Sequence, residues 1–263
     1  MTLRREVVSQ DDHKLSYLVD GDGPVIIMLP AMLQSAIHWD RAGYIERFAR
    51  THRVLAIDLL GRGGSERPAD EAAYAPEAIA AHVGDIMDHE EVQGAAVWGF
   101  AGGAEIGAIV ARRRPQSVVA VVCGGMSLGD VDAGLRRQGI DIAVLTDRCA
   151  SALDQGDWEA YFELAPLDVP AELRDEYIST NDAHVIAAIT RADLMRHRIF
   201  LRPSVPTLAY WASGDVFAAE NSRLAETMAI EHAVIKGAHT DSFLLAEQVG
   251  DHVEGFLATH LMA

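Results

Sequence analysis

An α/β fold is expected for these 263 residues: a mostly parallel eight-stranded sheet with helices on both faces and an inserted helical lid. Three observations predict it. Short, apolar, β-branched runs recur along the chain, as strands covered on two sides require. Helical stretches separate them, which is the alternation that builds parallel βαβ units. One long stretch, Asp130 to about Arg202, breaks the alternation with helical patterns only.

The elements follow in order. Leu3 to Ser9 and Lys14 to Val19 read as two strands around the polar turn Asp11-Asp12-His13. Asp20-Gly21-Asp22-Gly23-Pro24 is a second turn. Val25 to Leu29 is a central strand, apolar on both faces. A helix around Tyr44 to Arg50 leads to the strand Val54 to Ile57. Pro76 opens a helix running to Val92, because its fixed φ and missing N–H suit a first turn. Ala95 to Trp98 and Val118 to Val122 are further strands, with a helix between them that runs from the Gly99 to Ala104 segment to Arg114-Pro115. The long insertion reads as about four helices, broken at Gly156-Asp157, Pro166 to Pro170 and Thr180-Asn181-Asp182. Thr207 to Trp211 and Ala233 to Ile235 complete the eight strands. The division is therefore a core of 1–129 and 203–263 with a cap or lid of 130–202. Ligands bind outside the carboxyl ends of such strands, and an insertion there suits a lid.

Composition narrows the function. Against 22 Lys plus Arg stand 39 Asp plus Glu, a formal net charge of −17. That charge repels phosphate, so nucleic acid and anionic membrane are excluded as partners. A small, neutral, largely apolar molecule is the expected substrate. The two cysteines, Cys123 and Cys149, cannot form a disulfide framework and read as small buried hydrophobes in a reducing compartment. No apolar signal core follows Arg4-Arg5, and no run of about 18 apolar residues is present. The expectation is a cytoplasmic protein, with a symmetric homodimer as the default assembly. No His/Cys/Glu cluster has metal spacing and no phosphate-cradling G-x-x-x-x-G-K-[ST] loop exists, so no cofactor, metal or nucleotide is expected.

The chemistry concentrates at Gly99-Phe100-Ala101-Gly102-Gly103-Ala104, between a strand and a helix. Small residues flanking a central position suit a tight strand-to-helix turn, whose centre is strained and whose neighbours have no room for side chains. The new helix aims free N–H groups and a positive dipole end at that centre. Three further segments stand out along the chain: Asp58 to Ser65, with the form D-x-x-G-x-G-x-S; Pro206 to Asp215; and Gly237-Ala238-His239.

These four motifs, in this order, resemble the α/β-hydrolase superfamily over essentially the whole chain. Leu29-Pro30-Ala31-Met32 stands where that family usually has His-Gly-x before a Trp, here Trp39. The resemblance implies a triad of nucleophile, acid and histidine at positions 101, 215 and 239. Asp215 would orient His239, and His239 would act as general base. Backbone N–H groups of Met32 and Gly102 would form the oxyanion hole. The nucleophile position holds Ala101, whose methyl group cannot attack a carbonyl. Serine is the parent residue that the resemblance implies. An Asp nucleophile, as in the dehalogenase and epoxide hydrolase branches, usually precedes Trp, and Gly102 follows here. An engineered Ser→Ala change and a natural loss of catalysis both fit Ala101. Retention of the acid and histidine favours the first.

The expected activity of the parent is hydrolysis of an ester or lactone, with this chain inactive. The segment Ala96 to Gly99 with Gly103-Ala104 also resembles fungal macrolactone hydrolases, although Cys123-Gly124-Gly125 lacks their acid. Hydrolysis of a C–C bond beside a ketone shares the triad and stands as an alternative. A natural non-catalytic small-molecule binder stands as another. His38, beside Trp39, reads mainly as a packing residue with possible substrate contact. Trp158, Tyr161 and Phe162 share one helix face, which would line an apolar pocket or form lid core. Glu105 suits the first helical turn, and Arg112-Arg113-Arg114 suit a last turn, through the helix dipole.

Overall fold

The computed structural model describes residues 2–165, 169–192 and 204–261. Among these, the eight strands are β1 (Leu3–Val8), β2 (Lys14–Asp20), β3 (Val25–Leu29), β4 (Arg53–Asp58), β5 (Ala95–Phe100), β6 (Val118–Gly124), β7 (Thr207–Ala212) and β8 (Glu231–Ile235). They form one sheet in the order β1-β2-β4-β3-β5-β6-β7-β8. The pairs β1/β2 and β2/β4 are antiparallel, and every pair from β4/β3 to β7/β8 is parallel. The order reverses around β3, and such reversals place a crevice at the strands' carboxyl ends.

Continuous apolar strands bury alternate residues on opposite faces. Ile27, Leu29, Leu55, Val97, Val121 and Trp211 enter one core layer, with α3 (Pro76–His89) and α4 (Gly102–Arg113) over them. Ile26, Met28, Val54, Trp98, Leu208 and Tyr210 enter the other. That second layer is covered by α1 (Ala36–Arg41), α2 (Tyr44–Phe48) and α12 (Ala246–His260). Trp39, Tyr44, Trp98 and Phe243 form a knot of edge-on and tilted rings there, with centroids 5.0–5.5 Å apart. The Tyr44 hydroxyl donates to the Phe243 carbonyl at 2.7 Å.

The strand assignments agree with the sequence reading to within two residues at each end. The helices differ more. The predicted Pro76–Val92 helix ends at His89. Short α1, and the helices α10 (Ala218–Met228), α11 (Asp241–Leu244) and α12, carry no sequence expectation. The insertion between β6 and β7 holds five helices among the described residues rather than about four: α5 (Val131–Arg137), α6 (Ile142–Asp154), α7 (Trp158–Leu164), α8 (Ala171–Thr180) and α9 (Ala183–Arg191). The extra break has a local cause. Gly139 takes φ +80, and the Asp141 side chain caps α6 by accepting from the N–H groups of Ala143 and Val144. Residues 166–168 and 193–203, within or at the edge of the expected lid, lie outside the described residues. Among the described residues no helix is long and apolar enough to cross a membrane. Both cysteines are buried, and burial pushes the Cys123 thiol up to about 12 and that of Cys149 up to about 11. Arg113 pairs with Glu77 at 3.2 Å and Arg114 with Asp88 at 2.5 Å, so these cations tie α4 to α3.

A buried carboxylate anchors the antiparallel edge. Glu90, with a side chain 3% exposed, accepts from Arg5 on both oxygens at 2.9 Å and also bonds Arg53 and the Tyr17 hydroxyl. Burial pushes its carboxyl up, but the bonds to Tyr17 and Arg5 and the arginine charges outweigh burial and leave it below the usual glutamate range. A depressed folded-state value means that stability is present above pH 4.5 and is lost as the pH falls through that folded value. Glu90→Gln is expected to cost about 2 kcal/mol at pH 7, less than a fully buried pair because both arginines can be rehydrated. Urea unfolding at pH 7 and pH 3.5 checks it. The gap between the two proteins should narrow at the lower pH.

Candidate active site

The β5–α4 junction is built by sterics. Ala101 sits at φ 48, ψ −117, a conformation that costs a non-glycine residue about 1–3 kcal/mol and persists only where its surroundings impose it. The surroundings do so here. A Cβ on Gly103 would overlap the Leu29 carbonyl oxygen and stand 2.6 Å from that of Pro30. One on Gly99 would overlap the Gly103 carbonyl. The Ala101 N–H donates to the Gly124 carbonyl at 2.8 Å, pinning the turn to β6. Gly102 begins α4 and lines the cavity, where a Cβ would meet nothing within 4 Å among the described residues beyond its own helix turn. Its N–H is one of the first four of the helix and has no intrahelical acceptor.

Asp215 follows β7, and His239 follows β8. Their loops are fastened together. Ser213 N–H donates to the Ile235 carbonyl at 2.7 Å and Gly214 N–H to the Gly237 carbonyl at 2.8 Å. Gly237 needs its φ of +142 and its lack of a side chain, because a Cβ there would overlap the Asp241 carboxylate. That carboxylate accepts from Ala238 N–H at 2.8 Å, and the Ser242 hydroxyl donates to the His239 carbonyl at 2.7 Å. The result is a contact of 2.8 Å between His239 Nδ1 and Asp215 Oδ1, while Asp215 Oδ2 accepts from Ala212 N–H at 3.0 Å. With Nδ1–H directed at the carboxylate, the lone pair resides on Nε2.

His239, Ala101, Met32 and Gly102 all line one cavity of about 80 Å³, with Asp215 behind His239. Leu33, Phe100 and Val169 supply its apolar walls. Several lining residues escaped the sequence reading, Gln34 and Tyr177 among them. Gln34, in the loop after β3, and Tyr177, on α8, meet across the cavity, with Gln34 Nε2 donating to the Tyr177 hydroxyl at 3.2 Å. Burial pushes the Tyr177 phenol up, so it is a neutral hydroxyl at neutral pH. No periodicity marks either residue, since each is defined by a contact 143 positions away.

The loop that carries Met32 is held from three directions. Gln34 Oε1 accepts from Ala31 N–H at 3.4 Å, Arg62 Nη1 donates to the Met32 carbonyl at 3.3 Å, and Asn181 Nδ2 donates to the Leu33 carbonyl at 3.0 Å. Arg62 belongs to the D-x-x-G-x-G-x-S segment and is fully buried, which pushes its guanidinium down to about 10. Asp58, which heads that segment, accepts from the N–H groups of Ala36 at 2.8 Å and Gly64 at 2.9 Å. The segment therefore supports the cavity floor rather than lining it.

Of the two roles open to His38 and to the aromatic face of α7, the described residues show packing. His38 is not among the described residues that line the cavity. Its Nδ1 accepts from Ser35 N–H at 3.0 Å as part of the α1 cap, and its ring lies 5.6 Å from that of Tyr177. Burial holds its imidazole below the usual range, with Glu176 opposing. Trp158, Tyr161 and Phe162 do share a face, but it turns inward. Their rings pack on one another at 5.5–6.1 Å and join the core of the insertion. The cavity is instead approached by Val169 and, from α8, Tyr177.

The architecture is the α/β-hydrolase fold. A family model described as alpha/beta hydrolase fold matches residues 24–133. Among solved structures, one from a study of novel epoxide hydrolases in metagenomes from hot environments is 22% identical. It aligns with TM-score 0.79 over 98% of this chain and 99% of its own. The epoxide hydrolase VrEH1 from Vigna radiata is 18% identical, with TM-score 0.76 over 98% of each chain. The bottromycin epimerase BotH, solved with bottromycin A2, is 19% identical, with TM-score 0.77 over 97% of this chain and 99% of its own. Among curated proteins no sequence match was found.

Proposed function

We propose that this is the acyl-transfer site of a serine-type hydrolase in which Ala101 occupies the nucleophile position. The substrate is an ester or lactone of a small, largely apolar molecule, covered by the helical insertion acting as a lid. One observation carries the reading. A strained, non-glycine residue at φ 48 shares a cavity with a histidine whose far nitrogen is 2.8 Å from a carboxylate. A methyl group derives no benefit from that strain, whereas a nucleophile there would stand over the N–H groups at the start of α4. The apolar walls suit an uncharged substrate, consistent with the formal charge of −17. As it stands the chain forms no acyl-enzyme, because nothing at position 101 can attack.

Ala101→Ser is the test. The variant is expected to hydrolyse short p-nitrophenyl esters and simple lactones at least about a hundredfold faster than the parent chain, a modest share of what a positioned nucleophile and base supply. It should also form a fluorophosphonate adduct visible by intact mass. Ala101→Asp with styrene oxide examines the activity named for two of the structural neighbours. Turnover by that variant, with none by Ala101→Ser, would replace the ester reading with an epoxide one. A folded Ala101→Ser protein with neither turnover nor adduct would overturn the hydrolase reading and leave a binding pocket.

A further inference from the structure

We propose that the chain as it exists, with Ala101 in place, is a general-base catalyst that moves a proton at the carbon next to a carbonyl group. The proposal rests on the roles assigned above to His239, Asp215, Met32 and Gly102, and it concerns a reaction that needs no nucleophile.

His239 has one nitrogen to offer. Its Nδ1 is committed to Asp215 at 2.8 Å, and it lines the cavity, so Nε2 is the nitrogen available to a bound molecule. In a triad the serine hydroxyl stands between that nitrogen and the substrate, and the proton removed is the hydroxyl's. The Ala101 methyl neither donates nor accepts. The acidic proton nearest to Nε2 then belongs to the bound molecule itself. Asp215 remains in place to stabilise the imidazolium that forms, as it would in acyl transfer.

The second half of the site addresses where the charge goes. A carbonyl oxygen seated against the N–H groups of Met32 and Gly102 gains negative charge when its neighbouring C–H is deprotonated. Donors fixed in advance stabilise such charge without reorganisation. The Met32 loop is braced by Arg62 and Asn181 on its carbonyls. The walls formed by Leu33, Phe100 and Val169 favour an organic group over water in the space beside Ala101.

The step balances without an oxidant or co-reactant. The α C–H bond breaks, its proton passes to Nε2, and its electron pair becomes the C=C bond of an enolate as the carbonyl π pair moves onto oxygen. Reversal returns a proton to the same carbon. That proton has exchanged with solvent through the imidazole, or it arrives on the other face and inverts the centre. Small apolar ketones and thioesters with an α C–H are the substrate class.

Phenylacetone in D2O, followed by the loss of its α-proton NMR signals, is the probe. The Ala101 chain is expected to exchange these protons about a hundredfold or more above buffer, within the range of a positioned base. His239→Ala and His239→Gln, each with an unchanged thermal midpoint, should return the rate to buffer level. Ala101→Ser should slow the exchange at least about tenfold while gaining esterase activity, because its hydroxyl would intervene before Nε2. Exchange at buffer rate in the Ala101 chain, or exchange that survives both His239 variants, would overturn the proposal. His239-dependent hydrolysis of p-nitrophenyl acetate by the Ala101 chain without any exchange would also overturn it, by making water the proton donor. Failure of Ala101→Ser to acylate is read in a different protein and bears on the hydrolase reading alone.

Discussion

In the Ala101→Ser protein, adding His239→Ala is expected to lower kcat on p-nitrophenyl esters by roughly 10⁴- to 10⁶-fold, the scale on which triad members act as a unit. At 1.36 kcal/mol per tenfold this is about 5–8 kcal/mol of barrier. The geometry explains why one side chain carries so much. His239 is positioned by its 2.8 Å contact with Asp215, and its loop is fixed by Asp241 and Ser242. It lines the same cavity as position 101. In the proposed mechanism its loss removes the proton acceptor for attack and the proton donor for the leaving group. The proposed donors at Met32 and Gly102 would remain, so KM should change far less than kcat. A loss below about tenfold would remove His239 from the acyl-transfer mechanism.

Gly103→Ala is the substitution expected to cost most in stability, roughly 4 kcal/mol or more. A Cβ at 103 would overlap the Leu29 carbonyl oxygen and stand 2.6 Å from the Pro30 carbonyl oxygen. Both are backbone atoms at the carboxyl end of β3, so no rotamer change relieves the clash. Relief requires α4 to move away from the sheet, which opens the core around Leu29, Val97 and Ile106. For a domain of this size each kcal/mol lowers Tm by about 2–4 °C. A thermal melt should therefore fall by about 8 °C or more. Gly102→Ala is the internal control, since among the described residues outside its own helix turn nothing lies within 4 Å of a Cβ there. Equal melts for the two variants would show that the close approach of α4 to β3 is not what holds the elbow.

Much of this architecture is legible in the chain itself. Six β-branched runs, Val25–Leu29 among them, predict the parallel part of the sheet because a strand buried on both faces admits little but apolar residues. The elbow is legible because Gly99 and Gly103 are imposed by backbone collisions within one tight turn and the strand beside it. Asp215 and His239 can be placed because each lies in the loop just after a strand, at a position the motif order marks. The helices of the insertion are harder to count. The break at Gly139 rests on one positive φ and one cap, both small signals inside a helical pattern.

The contents of the cavity are not legible in this way, and the aromatic face of α7 shows why. Trp158, Tyr161 and Phe162 share a face by helical spacing alone. Spacing is indifferent to whether that face meets substrate or core, and packing directed it inward. His38 stands beside Trp39 in the chain, yet its Nδ1 is taken by the α1 cap. Gln34 and Tyr177, far apart in sequence, meet only because α8 docks on the loop after β3, where Asn181 also grips the Leu33 carbonyl. Local chemistry in the chain is enough to set the strands, the turn at Ala101 and the positions of Asp215 and His239, since each is marked by neighbours within a few residues. The walls of the pocket depend on how two distant segments settle against each other, and no short pattern encodes that.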